Sequence, residues 1–269
     1  MSVWYCIPSK RPPDQVDPVL AKWRERGYKT ALWLDEVPKD SGTMKNQSLI
    51  SYWISGGPNY PGYAQAVNAL VTDVLETDPS CDWIVTGGDD ILPDPNHTAE
   101  EIADSCTEHF GGPYALYGHK RPQNTFGVMQ PTGDRWGDSP RSRKEFGEDR
   151  GAYIDRVCGS PWMGREFCQR IYGGKGPLWP EYRHMYVDQE LFDVATKLGI
   201  LWQRRDLIHE HQHWGRSATQ QIPEFLKSVN TPEHFAEAKA LYDRRAAFGF
   251  EPLLMARPIK SGGFAEATL

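Results

Sequence analysis

The chain has no Cys-x-x-Cys pair, and its five cysteines (Cys6, Cys81, Cys106, Cys158 and Cys168) are an odd number. A disulfide scaffold and a zinc-finger site are both disfavoured, and a reducing compartment fits the pattern. No apolar run approaches the length needed to span a bilayer. The first residues, Met-Ser-Val-Trp-Tyr-Cys-Ile-Pro, lack the basic region and apolar core of a secretion signal. A cytoplasmic protein without a membrane partner is therefore expected. There is no excess of basic charge either: the formal net charge is −6. That argues against a globally basic nucleic-acid binder and leaves room for a local patch. No internal repeat is visible.

What the sequence does hold is 269 residues, enough for one large or two small domains, with ten tryptophans and twenty-one prolines. The aromatics and prolines suggest long ordered loops and aromatic-lined surfaces. Apolar strand formers at 3–7, stopped by Pro8, are followed by the basic loop Ser9-Lys10-Arg11-Pro12, a helix over 17–26 and a second strand over 28–34 ending in Asp35. This is a β-α-β unit with polar residues gathered at the carboxyl ends of its strands, where open α/β sheets bind ligands. A third strand is expected within 49–54 and a helix over 63–75. A fourth strand at 83–85 and a helix over 98–109 follow, with a short strand at 114–118. The stretch 123–151 is long and polar and reads as a loop. A helix is expected to begin within 162–168, another runs from Asp188 to Leu198, and strand-like runs follow at 200–203 and 207–213. Thr231-Pro232-Glu233 starts a last helix, with Thr as cap and Pro in the first turn. The division expected is a catalytic unit over 1–215 and a helical extension over 216–269.

Three stretches carry chemistry. Gly87-Gly88-Asp89-Asp90 ends the fourth strand with two adjacent carboxylates, a way to place a divalent ion in a cleft; an Asp-rich turn is the plain alternative. In Ile208-His209-Glu210-His211-Gln212-His213 the histidines share one face if the segment is extended. One of them paired with Asp90 would suit manganese or magnesium, leaving positions open for phosphate oxygens. In Val187-Asp188-Gln189-Glu190, Asp188 reads as a helix N-cap, and Glu190 faces another side of the helix.

In order, Ile-Pro-Ser-Lys-Arg-Pro, Asp35, the Asn59–Asn68 segment, Gly88-Asp89-Asp90, Asp188-Gln-Glu190 and Ile208-His-Glu-His211 resemble the GT-A-fold glycosyltransferases. The likeness is greatest to the family 2-like inverting group and to standalone phage-type members. It implies an α/β fold with a central, mostly parallel sheet. Pro8, Ser9 and Arg11, with Asp35, would hold the base and ribose of a nucleotide sugar, such as a UDP-sugar. Gly62, Tyr63 and Asn68 would line the nucleotide. Asp90 and His211, with His209, would hold manganese or magnesium, and Asp89 would contact the ribose or support the ion from behind. Asp188 would be the catalytic base. The chain departs from the family's Asp-x-Asp pattern, because Gly88 stands where its first acid lies, which puts metal binding in question.

The acceptor expected is a hydroxyl compound, with a hydroxymethylated DNA base as one candidate. The basic residues of 118–144 (His119, Lys120, Arg121, Arg135, Arg141 and Arg143) would then meet phosphates, and a solvated mixed-charge loop is the plainer alternative. A metal-dependent hydrolase, a nucleotidyltransferase and a non-catalytic sugar-binding protein on a degenerate transferase fold are the alternatives.

Overall fold

The computed structural model describes residues 1–34, 52–55, 60–111, 125–135, 154–216, 221–222, 224–227 and 230–253. Asp35, the expected strand at 114–118 and most of the basic residues of 118–144 lie outside them.

A seven-stranded sheet organises the chain in the order β3-β2-β1-β4-β7-β6-β8. Strands β1 (Ser2–Ser9), β2 (Lys29–Leu34), β3 (Tyr52–Ser55) and β4 (Cys81–Thr86) are mutually parallel. β7 (Trp162–Gly164) runs antiparallel to both β4 and β6 (Val128–Pro131), and β8 (Leu201–Arg204) closes the edge parallel to β6. Helices cover both faces. Alternation along β1 sends Trp4 and Cys6 toward α2 (Tyr63–Thr77) and α5 (Val187–Lys197). Val3, Tyr5 and Ile7 go to the other face, toward α1 (Pro13–Glu25) and α3 (Ala99–Gly111). A short helix, α4 (Arg165–Arg170), follows β7. Every residue of β4 is buried, as a central parallel strand requires.

The structure differs from expectation at three places. Pro8 does not stop β1, which runs on to Ser9; beyond Cys6 only β2 still pairs with it, and proline is tolerated where a neighbouring strand has ended. The stretch read as a loop over 123–151 contains β6, whose Val-Met-Gln-Pro is too short to show a period. Trp162–Gly164, read as a helix start, is a strand, and α4 begins only at Arg165.

Two further elements matter for the site. β5 (Ile91–Leu92) and β9 (Glu210–His211) form a separate two-stranded ladder with Ile91 opposite His211. Trp23 of α1 ties this ladder to the core: its ring stacks on Tyr5 at 3.6 Å and its N–H donates to the Ile91 carbonyl at 2.8 Å. After the short helix α6 (Glu224–Lys227), α7 (Pro232–Ala247) begins as expected, with the Thr231 hydroxyl accepting the His234 N–H. Its Arg245 reaches α5, where the guanidinium grips both oxygens of buried Glu190 at 2.8–2.9 Å and lies 3.5 Å over the Trp179 ring. Among the described residues no helix is long and apolar enough to cross a membrane.

Candidate active site

β4 delivers Gly87–Asp90 at the carboxyl end of the parallel strands, and two phenols fix that turn. Tyr5 donates to the Gly88 carbonyl at 2.6 Å and Tyr63 to the Gly87 carbonyl at 3.2 Å. Burial pushes both phenols well above their ordinary pKa, so they stay protonated donors. A side chain at Gly88 would meet the Asp90 carboxylate, since a Cβ there would lie 2.4 Å from Asp90 Oδ1.

The two acids then face different partners. Asp89 is buried, accepts the Ser9 hydroxyl and lies 3.0 Å from Arg11 Nε. The Arg11 N–H donates to Ser9 Oγ at 3.0 Å, so Ser9, Arg11 and Asp89 form one cluster at the end of β1. Burial raises the Asp89 pKa, and Arg11 and Ser9 offset this only in part. Asp90 turns the other way: His211 Nε2 lies 3.4 Å from its Oδ1, and Arg11 Nη2 lies 3.8 Å from its Oδ2. Burial opposes its charge, but the hydrogen bond and charge of His211, together with Arg11, outweigh it and hold the carboxyl below its usual range. Of the two carboxylates, Asp90 is the one whose surroundings favour the charged form.

His209 is not beside that pair. Its Nδ1 lies 2.6 Å from Ser160 Oγ, and its ring packs edge-on to Trp23 in the core. Burial lowers its pKa to about 4, so it is a neutral imidazole. The alternation expected over 207–213 holds as a ladder only at Glu210–His211. His213 keeps its ring 5.0 Å from that of His211. Among the described residues, no three histidine, cysteine or acidic side chains converge as a metal cluster.

Asp188 lies in the first turn of α5, half-buried, and is not the cap; Tyr186 holds that position in a left-handed conformation, φ 66°. One Asp188 oxygen accepts the Gln189 N–H at 3.0 Å. Burial raises its pKa, and the Gln189 N–H and the charge of His211 offset part of that. Glu190, two residues on, is held by Arg245 and by Tyr182, whose hydroxyl donates at 2.8 Å, so the two acids have separate tasks.

Gly62 has φ 100° and lies tight against Arg183: an added Cβ would stand 3.0 Å from Arg183 Cα, while the Tyr63 N–H donates to the Arg183 carbonyl at 2.6 Å. Asn68 is buried with its amide engaged: it donates to the carbonyls of Leu178 and Lys175 and accepts the Leu178 N–H. Pro8 lies within β1, paired to Trp33. Arg135, from the expected basic loop, is bound to both oxygens of Asp155 at 3.0 Å. The sequence reading passed over Ser160, Asp134, Arg216 and His184. His184 packs edge-on to Tyr63 with ring centroids 6.2 Å apart, and it feels the charge of Asp90. The sequence signal near it is the aromatic stretch 179–186.

No protein-family model matches the chain, and no curated protein matches it by sequence. Solved structures do. Glucosyl-3-phosphoglycerate synthase from Mycobacterium tuberculosis, bound to Mg2+ and UDP, superposes with a TM-score of 0.50 at 13% identity, over 91% of this chain and 79% of that one. The same enzyme with Mn2+, UDP and glucosyl-3-phosphoglycerate gives 0.48 at 13% identity, over 91% and 80%. The chain has the GT-A fold. At these identities the likeness is one of fold.

In a GT-A frame the donor set can be tested against a divalent ion. Two ligands at right angles, each about 2.1 Å from one ion, stand about 3 Å apart. The 3.4 Å between Asp90 Oδ1 and His211 Nε2 fits that spacing, and carboxylate with imidazole is a donor pair that magnesium or manganese accepts.

Proposed function

We propose that this chain is a glycosyltransferase that moves a sugar from a nucleotide sugar, with a UDP-sugar as the expected donor, to an acceptor hydroxyl. The observation that carries the reading is the Asp90–His211 pair, standing beside the Ser9–Arg11–Asp89 cluster at the carboxyl ends of parallel strands. In this reading Ser9, Arg11 and Asp89 hold the nucleotide, with Asp35, Gly62 and Tyr63 along it. Asp90 and His211 would hold a divalent ion, which when bound would supply positive charge beside the diphosphate. Asp188 accepts the proton of the incoming hydroxyl, whose oxygen bonds to the anomeric carbon as the bond to the diphosphate breaks. One such displacement inverts the anomeric centre, the outcome of the family 2-like group.

Asn68 and His209 take structural tasks in this reading, since a segment at 175–178 and a buried serine already occupy them. The metal-hydrolase alternative is weaker, because a hydrolytic zinc centre takes three protein ligands and no such group converges among the described residues. The acceptor remains any hydroxyl compound, with a hydroxymethylated DNA base as the specific macromolecular candidate. A cytoplasmic setting goes with the five cysteines, which are all unpaired and buried.

The test is thermal melting with UDP, GDP and ADP, each with and without Mn2+. Ligand at a hundred times its Kd stabilises by about 2.7 kcal/mol. UDP should raise Tm, and more so with Mn2+. No shift with any nucleotide, with or without the ion, refutes the reading. Labelled UDP-glucose with hydroxymethylcytosine DNA checks the acceptor, and no label in the DNA removes that candidate.

A further inference from the structure

His211 stands on a weak element. Among the described residues β9 has two residues and pairs with β5 alone; just past it the Gln212 N–H donates to the Asp90 carbonyl at 2.7 Å. A ladder this short specifies register poorly, and a slip of one residue would turn every side chain of the strand to the opposite face. With histidines at 209, 211 and 213, such a slip would present Glu210 or Gln212 to Asp90 in place of an imidazole.

What holds the His211 peptide is an ion pair from elsewhere. Asp134, three residues beyond the end of β6, accepts the His211 N–H on Oδ2 at 2.6 Å. Arg216 donates from Nη2 to the same carboxylate oxygen and from Nε to the His211 carbonyl. Both backbone polar groups of His211 are thus gripped by a single carboxylate–guanidinium pair. That pair links the end of the main sheet to β9. The segment just before it is fixed separately: the Ile208 N–H donates to buried Asp94 at 2.7 Å, and the Gly133 N–H donates to the Leu207 carbonyl at 2.9 Å.

We propose that Asp134 and Arg216 are positioning residues for the divalent ion: their ion pair sets His211 in the register that aims its imidazole at Asp90. This rests on the reading of Asp90 and His211 as the ion's ligands. Neither residue need touch the ion. They act as outer partners of a ligand do, and loss of such partners typically costs about 10–100-fold in metal affinity.

The experiment is a titration of the full chain with Mn2+ in the presence of UDP, following free Mn2+ by electron paramagnetic resonance, with no turnover involved. Asp134→Ala and Arg216→Gln should each weaken Mn2+ binding by about 10–100-fold. Arg216→Lys should not restore it, because one ammonium cannot bond the carboxylate and the carbonyl in the same fork. The readout that separates positioning from general support is a double-mutant cycle. In a His211→Ala background, Asp134→Ala should cost no further affinity, whereas a merely structural role would cost the same in both backgrounds. Should Asp134→Ala fail to fold, Asp134→Asn and Arg216→Gln carry the same comparison. Wild-type binding in these variants, or a full additive loss in the His211→Ala background, overturns the proposal. If the wild-type protein takes up no Mn2+ with UDP present, the metal reading itself fails, a result distinct from failure of the positioning role.

Discussion

Placing an acid at Gly88 should weaken the site it would complete by the family pattern. By that pattern the position wants an aspartate, and Gly88→Asp would add a ligand. The geometry says the reverse. A Cβ at this residue lies 2.4 Å from Asp90 Oδ1, and ordinary contact begins near 3.4 Å, so the Asp90 carboxylate must move by about 1 Å. Metal–ligand distances tolerate only about 0.2 Å, so that movement takes the oxygen out of coordination range. A displacement of this size costs about 100-fold where geometry decides rate or affinity, or about 2.7 kcal/mol. The backbone tolerates the change, because Gly88 is not among the glycines with positive φ, and the atom that moves is the end of a side chain. Metal-free stability should therefore stay within about 0.5 kcal/mol. The assay compares wild type, Gly88→Ala and Gly88→Asp for Mn2+ affinity, sugar transfer and metal-free melting. Both variants should bind Mn2+ about 100-fold more weakly with little change in Tm. Tighter binding by Gly88→Asp, or unchanged binding by Gly88→Ala, would refute the reasoning.

Removing Arg245 leaves Glu190 buried and unpaired, which costs about 3–5 kcal/mol. Arg245→Ala should lower Tm by roughly 6–20 °C in calorimetry, and Arg245→Lys should recover little because it loses the fork and the stacking on Trp179. Asp188 has its pKa raised by burial, so its ionised form is a liability to the fold: stability from this group is greatest at low pH and is lost as pH rises through the raised value. Asp188→Asn should raise Tm at neutral pH while abolishing transfer and leaving UDP binding intact. The wild-type rate should climb with pH through the same ionisation, and near-normal transfer by the variant would remove Asp188 as base.

The parallel half of the fold was legible because β1, β2 and β4 are apolar runs of strand formers, and α1, α2 and α3 around them each show a clear apolar face. β6 and β7 were hidden because Val128–Pro131 and Trp162–Gly164 are too short for a period to develop, and polar sequence flanks β6. In the candidate site, the approach of His211 to Asp90 was legible from the strand-end acids and alternating imidazoles. The division of labour between His209 and His211 was not, because it depends on Ser160 and Trp23, which the sequence places far away. Asn68 looked like a ligand contact because resemblance supplied its task. Only the fold shows its amide fastened to the backbone at 175–178. Arg245 belongs to Glu190 across 55 residues, a pairing that no local pattern announces.

The ion pair on His211 also has a consequence for synthesis. Asp90 leaves the ribosome well before Arg216, and at about 5–20 residues per second the interval is roughly 6–25 s. Throughout it, the sheet around β4 can form while Asp89 and Asp90 have Ser9 and Arg11 beside them and His211 is not yet made. On the proposed reading, a nascent chain that ends before His211 lacks one of the two candidate ligands of the ion. On that reading, Asp90 meets its histidine only once the segment bearing His211 and Arg216 is made.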